Sequence, residues 1–290
     1  ICRCVRPPRR LTTQRSPRGI PGNALPCGLS VARGHAPCYG GRCLRGSPVN
    51  RDLMSKPELR EHTWRLLEIL RAVRFPGAKG RIPNFVGAER AALALQALPI
   101  WRQARVIKVN PDAPQIPVRR MALREGKTVY MAVPKLREEK CFIELDPARL
   151  GKNLAKAATI KGAARFGRAV RVSEVRRPDL IVCGSVAVNG AGAREGKGGG
   201  YSDLEFGLLR EAGIVTDRTP VLTIVHPLQI VPWEVAMLPH DIPVDWIVTP
   251  EGPLRCGSRY PKPRGIYWEF LAEEKIAAIP ALLGLHGRLG

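Results

Sequence analysis

The sequence has 290 residues, 44% of them hydrophobic, which is enough for one large or two small domains with a sizeable core. No window reaches the roughly eighteen uninterrupted apolar residues that a membrane-spanning helix requires, so no membrane partner is expected. The formal net charge of +22 points toward anionic partners.

The charge is uneven. Residues 1–53 hold ten arginines, no lysine and one acid, and the other 37 cations and 24 acids leave +13 for the rest. The first methionine is Met54, which opens Met-Ser-Lys-Pro-Glu-Leu-Arg-Glu, a helix start with proline in its first turn. The segment before it is rich in Arg, Pro and Gly and keeps neither a period of 2 nor one of 3.6, so it is expected to be disordered. A translated upstream or vector-like stretch is the preferred reading of it, ahead of an Arg-rich targeting peptide and a small metal module. The metal reading would use Cys2, Cys4, Cys38 and Cys43, whose spacing matches no recognised finger pattern. The isolated Cys141, Cys183 and Cys256 fit a reducing cytoplasm, and Cys183 lies in an apolar run that suits a small buried thiol.

From Met54 the chain alternates between strand and helix patterns. Leu59, Trp64, Leu67, Ile69 and Leu70 make residues 56–72 an amphipathic helix that Phe75-Pro-Gly-Ala ends. Lys56 and Arg60 share a face of that helix, either solvated or holding a common anion. Residues 88–98 form a second helix of strong formers, and Arg105 to Val109 a strand. A proline-punctuated turn, Asn110 to Pro117, leads to a helix over 117–125 and a strand over 128–133. Arg119 and Arg120 begin that helix as surface charge or as a site for a glutamyl tail. Residues 151–177 carry eight cations and one acid and read as a helix with a mobile connection, solvated or acting as an anion funnel. Residues 180–188 are an unbroken apolar run, expected as one strand covered on both faces. Further strands are expected over 219–226 and 244–249, followed by an amphipathic helix from Tyr267 to Leu283 interrupted before Pro280. His226 reads as a hydrogen-bonded structural histidine, His240-Asp241 as a loop-fixing turn with a lesser claim to function, and Trp64, Trp101 and Trp233 as packing. Five strands alternating with helices predict an α/β fold, a single domain over 54–290 with a mostly parallel sheet flanked by helices.

The most informative stretch is Gly190 to Asp203, with six glycines and the cations Arg194 and Lys197 between a buried strand and a helix. Glycines let backbone approach a ligand where a Cβ would collide, and a following helix start favours an anion. A Walker A loop would need glycine at Ala191 and Ser or Thr at Gly198; a Rossmann fingerprint would need glycine at Tyr201. Neither motif is present.

Gly192-Ala-Arg194-Glu-Gly196-Lys-Gly198-Gly199-Gly200-Tyr201-Ser202-Asp203-Leu204 instead resembles the signature of the 5-formyltetrahydrofolate cyclo-ligase family, Gly-x-Arg-x-Gly-x-Gly-Gly-Gly-Tyr-Tyr-Asp-Arg. The resemblance extends to Lys56 and Arg60, Gln229, His240-Asp241, Val244-Asp245 and Thr249, and covers residues 54–285. It is closest to the branch of methenyltetrahydrofolate synthetase domain-containing proteins, through Ile82-Pro-Asn-Phe85, Lys108-Val-Asn-Pro-Asp112, Pro117-Val-Arg-Arg120 and Lys262-Pro-Arg-Gly-Ile-Tyr-Trp268. Some vertebrate members of that branch add an RNA-recognition domain, whose aromatic signature is not seen here.

The resemblance implies a cytoplasmic enzyme that uses ATP and Mg2+ to close 5-formyltetrahydrofolate to 5,10-methenyltetrahydrofolate. It implies catalytic roles for Lys56, Arg194 and Tyr201. Nucleotide contacts are implied for Lys56, Arg60, Arg194, Gly196, Lys197, Gly198, Gly199, Gly200, Tyr201 and Asp203, folate contacts for Asp112 and Tyr201, and a metal ligand in Asp203. Three positions depart from the family: Leu204 replaces an arginine, Ser202 replaces the second tyrosine, and Asp112 stands where a pterin-binding glutamate is usual. These departures and the basic charge motivate a second reading, a non-catalytic member that binds folate, nucleotide or RNA.

Overall fold

The computed structural model describes residues 54–257 and 260–287; the expectations for residues 1–53 lie outside the described residues. The strands are β1 Val106–Val109, β2 Thr128–Ala132, β3 Phe142–Leu145, β4 Arg168–Val170, β5 Leu180–Cys183, β6 Ala187–Asn189, β7 Arg194–Glu195, β8 Val221–Ile224, β9 Ile230–Val231, β10 Trp246–Thr249 and β11 Gly252–Arg255. The α-helices are α1 Lys56–Ile69, α2 Ala88–Ala94, α3 Pro99–Gln103, α4 Ile116–Arg124, α5 Pro147–Leu150, α6 Leu154–Ala157, α7 Ile160–Phe166, α8 Tyr201–Glu211, α9 Glu273–Ala277 and α10 Pro280–His286.

An eight-stranded sheet runs β11-β10-β8-β5-β1-β2-β3-β4. Its five central strands, β10, β8, β5, β1 and β2, pair in parallel, as the alternation of strand and helix patterns predicts. Strands β11, β3 and β4 add antiparallel edges that the sequence reading does not contain. The central strands are almost wholly buried, and helices such as α2, α4 and α8 supply apolar faces to the same core.

Three expectations need correction. The run over 180–188 is two strands in two sheets, because the chain leaves the large sheet after Cys183 and re-enters pairing at Ala187 in a small sheet ordered β7-β6-β9. Gln229 fastens the crossover, donating from Nε2 to the Ser185 carbonyl at 2.8 Å and accepting from the His226 amide at 2.9 Å. The first helix ends at Ile69, and Ile69 and Leu70 are exposed (68% and 44%), so Leu59, Thr63, Trp64 and Leu67 alone make its buried stripe. Residues 151–177 are ordered as short helices and the edge strand β4, with Ala157, Ala158, Ala163 and Val170 in the main core.

Helix α1 begins at a capping box, with Ser55 and Glu58 each meeting the other's backbone amide, and this fixes Lys56 in the first turn. Leu59 then packs with Ala187, Ala193 and Val231, which lays α1 on the small sheet. That docking sets the position of the site.

Candidate functional site

The strand order around β1 marks where a crevice is expected. From β1 the chain moves to β2 on one side, whereas β5 and then β8 lie on the other, so the order reverses between β1 and β5. Ligands of open parallel sheets bind beyond strand carboxyl ends at such a point. Asp112 follows β1 and Gly184 follows β5, and a Cβ built at Gly184 would come within 2.9 Å of Asp112 Oδ2. A side chain here would push the Asp112 carboxylate or Ile82 aside.

Arg119, expected as surface charge or as a site for a glutamyl tail, is instead fully buried and shapes the Asp112 turn. Its guanidinium donates to the carbonyls of Asn110, Pro111, Asp112 and Ala158, and burial pulls it down to about 10 although Asp112 opposes the fall. A solvent-facing arginine could not have set three successive carbonyls.

The signature stretch forms a hairpin and then a loop. β7 pairs antiparallel with β6, setting Arg194 against Val188, and residues 196–200 carry the chain to α8. Gly198 (φ 95°) and Gly200 (φ 65°) adopt left-handed backbone that side chains resist, and Gly200 caps α8. Arg194 points inward. It is buried, with Nη1 on the Gly184 carbonyl at 3.0 Å, Nη2 on Asp203 Oδ1 at 2.6 Å and Nε on the Ile242 carbonyl at 3.3 Å. Asp203 Oδ1 also accepts from the Ile242 amide at 3.1 Å.

Lys56 and Arg60 reach the loop from α1. The Arg60 guanidinium lies 3.1–3.4 Å from the Cβ position of Gly198, so it sits directly beside the bend. Arg60 Nη1 pairs with Glu195 Oε1 at 2.6 Å, and Lys56 Nζ lies 3.9 Å from Glu195 Oε2 while bonding Asp241 Oδ2. Burial raises the Glu195 carboxyl above its ordinary range, against the pull of Arg60 and Lys56. Asp241 also accepts from the Leu238 amide at 2.6 Å, as a turn-fixing aspartate would.

Lys197 crosses the crevice and pairs with Asp112 Oδ1 at 3.1 Å, and Tyr201 stands half-buried at the start of α8. Ser202, at the tyrosine position, accepts from the Asn110 side chain, and Leu204 is buried beside a cavity of about 70 Å³. The expected nucleotide, folate and metal residues thus gather around one loop, with Arg194 beneath it as a brace. His226 accepts from the Leu228 amide through Nδ1, in keeping with a structural histidine.

Sequence reasoning passed over Glu195, which occupies a variable position of the signature; two cations four residues apart on α1 were the signal that an acid must meet them. It also passed over the buried pair Lys108 and Glu205 and the C-terminal Lys275, which donates to the Gly199 carbonyl at 2.9 Å.

The model of the 5-formyltetrahydrofolate cyclo-ligase family matches residues 52–250, taking in every element just described except Lys275. The chain belongs to that family. It is 40% identical over 236 residues to a methenyltetrahydrofolate synthase domain-containing protein of Bos taurus, covering 80% of this chain and 62% of the relative. The Mus musculus protein of that name is 40% identical over 238 residues (81% and 64%), and the Homo sapiens protein 37% over 238 residues (81% and 62%). The chain therefore spans less than two thirds of the length of these relatives. A solved structure of Aquifex aeolicus 5,10-methenyltetrahydrofolate synthetase aligns over 70% of this chain and 93% of its own, at 22% identity and a TM-score of 0.43. Among the described residues no helix of the family fold seen here is long and apolar enough to cross a membrane.

Proposed function

We propose that this chain closes 5-formyltetrahydrofolate to 5,10-methenyltetrahydrofolate with ATP. The observation that carries the reading is the seating of Arg60 against Gly198, which sets a guanidinium beside a loop whose only side chain between Gly196 and Gly200 is that of Lys197. Such a pairing of backbone and charge suits a triphosphate. Lys56, Arg60 and the amides of residues 196–200 hold the phosphates, and Arg194 fixes the loop and the first turn of α8. Asp112 and Tyr201 face the folate from the crevice, with Lys197 between the two ligands.

In the reaction, the formyl oxygen takes the γ-phosphoryl group and ADP leaves. The neighbouring ring-closing nitrogen then attacks the formyl carbon, the carbon–oxygen bond breaks, and phosphate departs with that oxygen as the nitrogen loses its proton. This chemistry needs positioning and charge neutralisation and no protein nucleophile. No cluster of three or more His, Cys, Asp or Glu capable of holding a metal is present among the described residues. Magnesium commonly rests on one or two carboxylates plus phosphates and waters, and Asp203 is the carboxylate we assign to it. The ion would neutralise phosphate charge.

The test is a coupled ADP-release assay on the full chain across a panel of folates. ADP release that requires 5-formyltetrahydrofolate is expected, and Arg60→Ala should lower kcat/KM about 100-fold, the scale of losing one charge-stabilising contact. Nucleotide binding without turnover on any folate would remove the catalytic reading and favour the binding-protein alternative. The cytoplasmic setting stands as part of the same proposal.

A further inference from the structure

Four cations around the loop are neutralised by carboxylates: Lys56 by Asp241, Arg60 by Glu195, Arg194 by Asp203 and Lys197 by Asp112. Lys275 of α9 differs. Its Nζ donates to the Gly199 carbonyl at 2.9 Å, lies 3.3 Å from the Cβ position of Gly200 and stands 5.3 Å from the centre of the Tyr201 ring. No carboxylate lies within ion-pair distance of it among the described residues. Its ammonium has three hydrogens and one acceptor there, so two N–H groups remain for a ligand.

The same small cavity holds a second clue. Gly200, Asp203, Leu204 and Lys275 line it together. Leu204 is buried and brings no charge to it. The cation in this cavity comes instead from a helix outside the family-matched residues.

The geometry points to Lys275 as a nucleotide-phosphate contact. This rests on the proposed reading that the loop holds a triphosphate. A phosphate would bring the charge partner that Lys275 lacks, at Gly199 and Gly200, next along the loop from the Gly198 position that Arg60 meets. Burial pulls the Lys275 ammonium below its ordinary value while Asp203 opposes the fall, a cost that an arriving anion relieves.

The test is calorimetric titration of the full chain with a non-hydrolysable ATP analogue and with adenosine. Lys275→Met is expected to weaken the ATP analogue about tenfold, the size of one charged hydrogen bond, and to leave adenosine unchanged. Lys275→Arg should stay near wild type. Unchanged affinity of Lys275→Met for the ATP analogue would overturn the assignment. Equal weakening of the analogue and of adenosine would also overturn it, since that is the mark of a clamp on the Gly199 carbonyl and not of a phosphate contact. A wild-type chain that binds no ATP analogue removes both this assignment and the proposed reaction. One that binds it without turning over a formylated folate removes the reaction alone and leaves the phosphate contact standing on its own titration.

Discussion

Arg194→Met is expected to destabilise the protein by about 3–5 kcal/mol, the range found when one partner of a buried ion pair is removed. Three nitrogens of that side chain serve three acceptors on different segments: the Gly184 carbonyl, the Ile242 carbonyl and Asp203. Burial alone would weaken the guanidinium's hold on its proton, but Asp203, together with Cys183 and Asp241, keeps the arginine above its ordinary value. Methionine fills much of the space and meets none of the acceptors. Asp203 would keep the Ile242 amide but lose its cation, so the double variant Arg194→Met with Asp203→Asn should regain part of the loss. Urea denaturation of the single and double variants measures both effects. A midpoint for Arg194→Met close to wild type would show that the loop does not depend on this brace.

Where burial dominated, the sequence was readable. Leu180-Ile-Val-Cys183 and Val221-Leu-Thr-Ile224 are apolar on both faces because helices cover both sides of a parallel sheet, and their composition announces it. Of the antiparallel strands, β3 is buried throughout but short and interrupted by Glu144, and the outer two carry no such mark. β11 contains Pro253 and exposes Leu254 and Arg255, and β4 exposes Arg168 and Ala169, as edge strands tolerate. The break within 180–188 was hidden for the opposite reason: both halves are buried, so hydropathy stays flat while the chain changes sheets. Gly184 stands at the break, and what crowds its Cβ position, Asp112 and Ile82, is 72 and 102 residues away in sequence.

The site divides along the same line. The glycine loop and the Lys56–Arg60 pair are local patterns, visible without a fold. Glu195 lies between Arg194 and Gly196 as an unremarked neighbour, and its meeting with both α1 cations exists only because Leu59 docks α1 on the small sheet. Lys275 arrives through packing of the C-terminal helices, and nothing in its own surroundings, Glu-Glu-Lys-Ile-Ala, distinguishes it from solvated charge.

Lys108→Met should cost about 3–5 kcal/mol near pH 7, again as a broken buried pair, and the loss should depend on pH in a set direction. Lys108 and Glu205 are 1% and 4% exposed and bond to each other, and Lys108 also donates to Asn110 Oδ1 at 2.9 Å. Burial already raises the Glu205 carboxyl above its ordinary 4.5 despite Lys108, so without the lysine it rises further. A folded-state value above the unfolded one means that the native state binds the proton more tightly, and stability falls as pH climbs from 4.5 toward the folded value. Below 4.5 Glu205 is neutral in both states, and the charge penalty of the variant disappears. Urea midpoints at about pH 4 and about pH 7 should therefore bring Lys108→Met closer to wild type at the lower pH. A loss equal at both values would mean that the pair's charge is not what holds this region. The double variant Lys108→Met with Glu205→Leu should recover most of the stability at neutral pH, since two apolar groups replace the pair. It should not recover the site, because Asn110 would lose the donor that orients it toward Ser202, and the first turn of α8 would be held on one side only.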